Sequence, residues 1–409
     1  MGRIGKAAAG PLLLLCLALL LLLFSAGCTL ELRDRIEEFV GAYEAIRLEK
    51  AVYVSLTGDD GNPGTRERPK RSLQAALDLA GALTGELGQL AVRAAAGTYT
   101  VTAPVELRDK VSLCGGYDPA DWSRDVEANE TVIAAQGTEK VVTAGAGITA
   151  AAAIEGFTLR AAAEDTVCCV YCNGGSPTIH DNIIDAGPGV LDSSGIFCAS
   201  ASPRILANTI NAGKGSDHCR GIVCQSAAAV IRNNVVYYEA GGMYFRGILC
   251  NNSTGVIIQS NTIRGGVESD GCLIYMASSK CVIENNILYA SPQETCGIYE
   301  ADTASLPERV NNNDLYGCSP LYRGADGPTS CGTVADMETY LAGQPEPVPA
   351  AGNREEDPGF VDAAAHDYHL GGASPLWDQG LDLSAWFSGD RDGAPRTAPW
   401  SMGAYELDL

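Results

Sequence analysis

The chain is poor in aromatic residues, 7% of 409, and has only four histidines and five methionines. So few large side chains disfavour a core built from bulky ring packing and leave little imidazole for metal or acid–base chemistry. Basic residues are also scarce: Lys plus Arg total 28 against 50 Asp plus Glu, a net charge of −22. That imbalance disfavours nucleic acid as a partner and opposes unassisted binding of polyanionic sugars, which bridging calcium could restore. No Ser-His-Asp arrangement, phosphate loop or HExxH pattern occurs. Glycine, by contrast, is abundant at 47 residues, which suits short strands joined by tight turns.

One long apolar run is present, at the start. Arg3 and Lys6 precede Leu12 to Phe24, and Ser25-Ala26-Gly27 leads into Cys28. The run is short for a membrane span and has the layout of a secretory leader. Its last four residues resemble the bacterial lipobox, with Ser25 where that pattern prefers Leu. The resemblance implies acylation of Cys28, a membrane partner reached through lipid, and a place in the bacterial cell envelope on the outer-membrane or cell-surface side.

Residues 29–50 read as an amphipathic helix, with Leu32, Ile36, Phe39, Tyr43 and Ile46 at three- and four-residue spacings. It would cap the open end of a solenoid, or serve as a tether or short coiled coil. A second helix is expected from Leu73 to about Leu83, with Ser72 as its N-cap.

The middle of the chain repeats. Cys172, Cys198, Cys224 and Cys250 are 26 residues apart, and Tyr275 is read as the next member. Three residues before each stand Cys169, Gly195, Gly221, Gly247 and Cys272. Asn182, Asn208, Asn234, Asn261, Asn286 and Asn313 form another column. Runs such as Gly195-Ile196-Phe197-Cys198 alternate with period two and are too short for helices. The expected fold is all-β: a single-stranded right-handed parallel β-helix of about 26 residues per rung with an N-terminal capping helix. Stacked cysteines then fill a narrow core, and stacked asparagines hydrogen-bond between rungs while tolerating a left-handed bend. Thirteen cysteines remain once Cys16 and Cys28 are set aside, an odd number. Cys168-Cys169-Cys172 is read as core rather than zinc, because two of the three fall in repeat columns.

The ends add a resemblance. "YVSLTGDDGNPGTRERPKRSLQAALDLA", "VRAAAGTYT" and "VSLCGGYDPADWSRD" near the start are similar to the opening of secreted pectin-lyase-like β-helix proteins. "DPGFVD", "DYHLGGASPLWDQG" and "DRDGAPR…MGAYE" are similar to that family's closing segment. The implied organisation is a leader over 1–28, the helix or tether over 29–50, a cap with first rungs over 51–135, regular rungs over 136–320, and an irregular closing segment over 321–409.

The resemblance allows polysaccharide lyase or glycoside hydrolase chemistry, which needs a base with calcium, or paired carboxylates. The catalytic candidates are Arg220 and Arg246 on adjacent rungs, with Asp270 expected in the same place on the next, and His218 beside them. Asp192 and Glu268 are placed in line with His218, with Tyr244 between. Asp59 and Asp60 are calcium candidates; no other cofactor is implied. Tyr171, Phe197, Val223, Leu249, Ile274 and Tyr299 are expected to face outward, under the C-terminal segment or as a groove. Tyr171, Phe197 and Tyr299 are its binding candidates, for a polysaccharide or an envelope protein. The favoured expectation is a lipid-anchored β-helix that binds carbohydrate or an envelope partner without catalysis.

Overall fold

A computed structural model describes residues 30–238, 242–266, 270–290, 295–325 and 330–406. Cys28, proposed for lipidation, and Glu268 lie outside the described residues. Three sheets of eleven, ten and eight strands, parallel but for one antiparallel pair at the end of the ten-stranded sheet, run the length of the molecule. One rung shows how the sequence winds. Arg204–Leu206 lies in the eleven-stranded sheet and Thr209–Asn211 in the eight-stranded sheet. The chain then reaches the ten-stranded sheet at His218–Gln225 and returns at Val230–Arg232, directly above Arg204–Leu206. The expected parallel β-helix is therefore present, with rungs repeating every 26 residues through this region.

Inward-facing Ile, Val, Cys and Leu side chains form one continuous core. At its N-terminal end the helix Leu73–Leu87 lies across the first strands, Ala51–Val54 and Leu90–Ala95. Ser72 accepts from the Ala75 N–H as N-cap, and Leu73, Ala76, Leu77, Ala80, Leu83 and Leu87 are buried on one face. This helix is the cap. The preceding helix, Leu30–Glu49, docks chiefly through its last two turns, by Ala42, Tyr43 and Ile46, while Phe39 remains 50% exposed. At the other end, the stretch read as irregular contains a further helix, Val334–Ala342, which buries Met337 and Leu341 over the last rung. Among the described residues, no helix is long and apolar enough to cross a membrane.

The corner between the eleven- and eight-stranded sheets carries the asparagine ladder. Asn234 illustrates it: Nδ2 donates to Ile205 O, Arg232 O and Asn261 Oδ1, while Oδ1 accepts from Asn208 N and Nδ2. The left-handed backbone does not belong to the ladder residue, as expected from the sequence, but to its predecessor. Asp181, Ala207, Asn233, Ser260, Asn285 and Asn312 have φ between 49° and 58°. The ladder residue turns inward to hydrogen-bond the rungs, so the predecessor must absorb the bend. Asn353 extends the ladder 40 residues beyond Asn313, accepting from its N–H and Nδ2.

Register corrects the cysteine column. Cys250 pairs with Met276, not Tyr275, and Gly247 lies opposite Leu273 rather than Cys272. The alternation decides this: Ile248 and Ile274 are register partners and both fully buried, so Tyr275 faces outward and Ile274 does not. The glycine column exists for space. A Cβ on Gly221 would lie 2.3 Å from Val236 Cγ1 and 2.5 Å from Gly247 O.

The C-terminal segment does not cover the outer face of the ten-stranded sheet, as one expectation had it. It runs back along the asparagine corner instead. Asn312 and Asn285 donate to Gln379 O and Leu381 O, Asn233 donates to Gly389 O, and Arg391 donates to Thr209 Oγ1. The segment is pinned by Arg396, fully enclosed, which bonds Glu406 and Asn233 Oδ1. The outward amides of the bend residues are what recruit it.

Candidate functional site: the outer face of the ten-stranded sheet

With the C-terminal segment elsewhere, the outer face of the ten-stranded sheet is left, among the described residues, with its own side chains. Successive strands Thr166–Asn173, Asp192–Ala199, His218–Gln225, Tyr244–Asn251, Asp270–Ala277 and Cys296–Glu300 pair in register. One outward column therefore reads Tyr171, Phe197, Val223, Leu249, Tyr275, Tyr299 and then Arg323. Tyr171 and Phe197 rings are 5.7 Å apart, and Tyr275 and Tyr299 meet edge-on at 5.2 Å. All but Val223 are half-buried.

Cations flank this column. Lys140 Nζ stands 5.0 Å from the Tyr171 ring, Arg246 4.7 Å from Tyr275, and Arg323 4.9 Å from Tyr299. Such cation–ring contacts fix the ring orientation and keep positive charge at the surface. Beside Lys140 lies a groove of about 490 Å³ whose lining includes Lys140, Tyr171, Asp192, Phe197, Arg220 and Leu249. A second groove of about 550 Å³ shares Lys140 and Tyr171 with it.

The catalytic candidates fall on this face, in a different order. Arg220 and Arg246 are register partners, but the next residue in their column is Cys272. Asp270 instead continues the column Asp192, His218, Tyr244. Placing Asp270 beside Arg246 was a slip of two residues from the observed register. Asp270 reaches Arg246 diagonally: Oδ2 is 3.2 Å from Nη2, while Nη1 donates to the Asp270 and Phe245 carbonyls. Arg246 is thus held on several sides, with its side chain 9% exposed. His218 Nδ1 lies 3.1 Å from both Asp192 and Asp217, and its ring stacks on Tyr244 at 4.8 Å. Arg220 Nη1 stands 3.6 Å from Asp192.

Asp192 and Asp270 are separated by three rungs, about 14 Å at normal strand spacing. Inverting hydrolases hold their carboxylates at most about 9.5 Å apart. Asp192 and Asp217 are close, and both approach the same imidazole nitrogen of His218. The face presents rings and cations beside the Asp192–His218–Asp217 group.

A family described as "Protein of unknown function (DUF1565)" matches residues 56–332. The chain belongs to this family. The matched span takes in the capping helix and every strand of the outer face described above. No curated protein matches the chain. Among solved structures, a pectate lyase, Pel9A, is 11% identical with a TM-score of 0.42, over 88% of this chain and 96% of that one. The A-module of a mannuronan C-5 epimerase, AlgE6, from Azotobacter vinelandii is 15% identical with a TM-score of 0.32, over 70% of this chain and 94% of that one. At TM-scores below 0.5 neither superposition bears on the site.

The calcium candidates lie far from this face, in the N-terminal loop. Asp60 accepts from the backbone N–H of Arg71 and Ser72 and from the Ser72 hydroxyl, which holds its carboxyl below the usual range despite partial burial. Asp59 accepts from the Gly61 N–H. Asp59 closes its own turn, and Asp60 seats the start of the capping helix.

Sequence reading missed Lys140, Tyr275, Asp217 and Arg323 at the site. Alternation around Ile274 was the available signal for Tyr275. Lys140 and Arg323 sit on rungs where the cysteine and glycine columns fade, so no repeat pointed to them.

Proposed function

We propose that this protein binds carbohydrate on the outer face of its ten-stranded sheet, without catalysing a reaction on it, while anchored to a membrane through Cys28. The uncovered column of half-open aromatic rings, flanked by cations in a chain of net charge −22, carries the reading. Rings present flat apolar faces to the axial C–H faces of sugars, and the guanidinium and ammonium groups donate hydrogen bonds to hydroxyl or carboxylate oxygens.

A glycan array with the purified protein should show binding to a defined class of polysaccharide. Tyr171→Ala with Phe197→Ala should then weaken binding by about 30-fold, as expected for loss of about 2 kcal/mol at an aromatic anchor. Depolymerisation or release of unsaturated uronate from any bound glycan would overturn the non-catalytic half of the proposal. Undiminished binding by the double variant would move the site elsewhere.

The anchor has its own test. In a bacterial host, Cys28→Ala should shift the protein from the membrane pellet to the soluble exported fraction. Unchanged fractionation would show that Cys28 carries no lipid.

A further inference from the structure

The thiols of the solenoid divide into two kinds. Cys168, Cys169, Cys219 and Cys296 each donate to a backbone carbonyl. Cys172, Cys198, Cys224 and Cys250 instead face one another as register partners on four consecutive rungs, sulfur against sulfur. Met276 takes the next place in the column, and the Cys281 thiol meets Cys250 from the eleven-stranded sheet. All six are fully enclosed. The interior thus holds an unbroken column of soft sulfur donors, ending in a thioether.

Spacing separates the chemistries open to such a column. Side chains in parallel register keep the strand separation of about 4.8 Å between their Cβ atoms. A disulfide needs about 3.5–4.5 Å there, and these cysteines are free. A linear sulfur–metal–sulfur bridge with bonds of about 2.3 Å spans about 4.6 Å, close to that separation. Zinc requires four donors in a tetrahedron, which one column cannot supply. Thiolate and thioether donors together select cuprous ion and similar soft cations.

We infer that the inner column Cys172–Cys198–Cys224–Cys250–Met276 is a binding site for a soft monovalent cation bridging the sulfurs of neighbouring rungs. Each bridge between two thiols releases one proton to solvent and leaves a thiolate, a thiol and the cation, neutral together. At the Cys250–Met276 step, thiolate, cation and thioether are neutral as well. No net charge is then left in a dry interior, where an uncompensated one would be costly.

The test supplies cuprous ion, buffered by a competing chelator under anaerobic reducing conditions, to the full chain in two arms: folded, and during refolding. At least one equivalent should resist the chelator, X-ray absorption should show only sulfur neighbours in a two- or three-coordinate site, and Tm should rise. Zinc should give none of these. Cys198→Val with Cys224→Val should abolish uptake, whereas Cys168→Val with Cys296→Val, outside the column, should retain it. No uptake in either arm, or equal uptake by the Cys198/Cys224 variant, overturns the inference. If that variant does not fold, nitrogen or oxygen ligands in the parent spectrum overturn it alone.

Discussion

Replacing Asn234 by alanine should lower unfolding stability by about 4 kcal/mol, whereas replacing its neighbour Asn233 should cost about 1–2 kcal/mol. The two adjacent amides do different work. Asn234 is fully buried, and its removal leaves the Asn208 N–H without a partner inside the solenoid and takes the amide donor from the Ile205 carbonyl. Each buried orphan costs about 1–3 kcal/mol, and the lost side chain leaves a void besides. Asn233 reaches outward, donating to Gly389 O and accepting from Arg396. Its alanine variant loses the contact with the C-terminal segment and must hold a φ of 55° without an Asx side chain. Urea denaturation of the two single variants checks this, with the m-value showing whether both still unfold as one unit. Equal losses would mean that the ladder contributes no more than the surface contact.

Asp314→Asn should raise stability at pH 8 by about 3 kcal/mol and flatten its dependence on pH between 5 and 8. Asp314 is fully buried beside the ladder; Oδ1 accepts from the Glu356 N–H, and Oδ2 has no partner. Burial pushes its carboxyl up to about 8, with the nearby Glu356 charge adding to the rise and Arg354 opposing it. The sign follows from linkage. Below about pH 4 the carboxyl is protonated whether the chain is folded or not, and the site exacts no penalty. Between pH 4 and 8 the unfolded chain releases the proton while the folded chain keeps it, so stability falls as pH rises. Above pH 8 the full loss is present. Asparagine fits the same space uncharged and removes this slope. Thermal unfolding across that range decides the matter: an unchanged slope in the variant would show that another group titrates.

The fold was legible because its evidence is periodic. Four cysteines at a constant spacing and six asparagines at nearly constant ones specify a solenoid, since one residue type can stack on itself only where parallel strands return in register. Where the period broke, reading failed for physical reasons. Matching Cys272 to Cys169 shifted the last regular rung by one residue, and with period-two alternation that shift turns every side chain to the other face. It exchanged Tyr275 for Ile274; Asp270 was misplaced by a separate slip of two residues. The helix Val334–Ala342 lengthens one rung enough to hide Asn353. The doubled asparagines at 233–234, 285–286 and 312–313 were visible, but only the second of each pair lines up as a ladder. The first takes the bend, a distinction that lies in backbone angles and not in residue type.

The path of the C-terminal segment has a consequence for how the molecule comes apart. In a solenoid each rung touches only its neighbours, so the end rungs can fray without disturbing the middle. Here a single stretch of chain is bonded to the rungs of Asn312, Asn285, Asn233 and Thr209 in turn, and it cannot lift from one without straining the others. It acts as a staple that converts a stack of nearly independent layers into one cooperative unit. Amide exchange across rungs 204–314 should accordingly be nearly uniform in the intact chain, and should become graded from the C-terminal end once that staple is released.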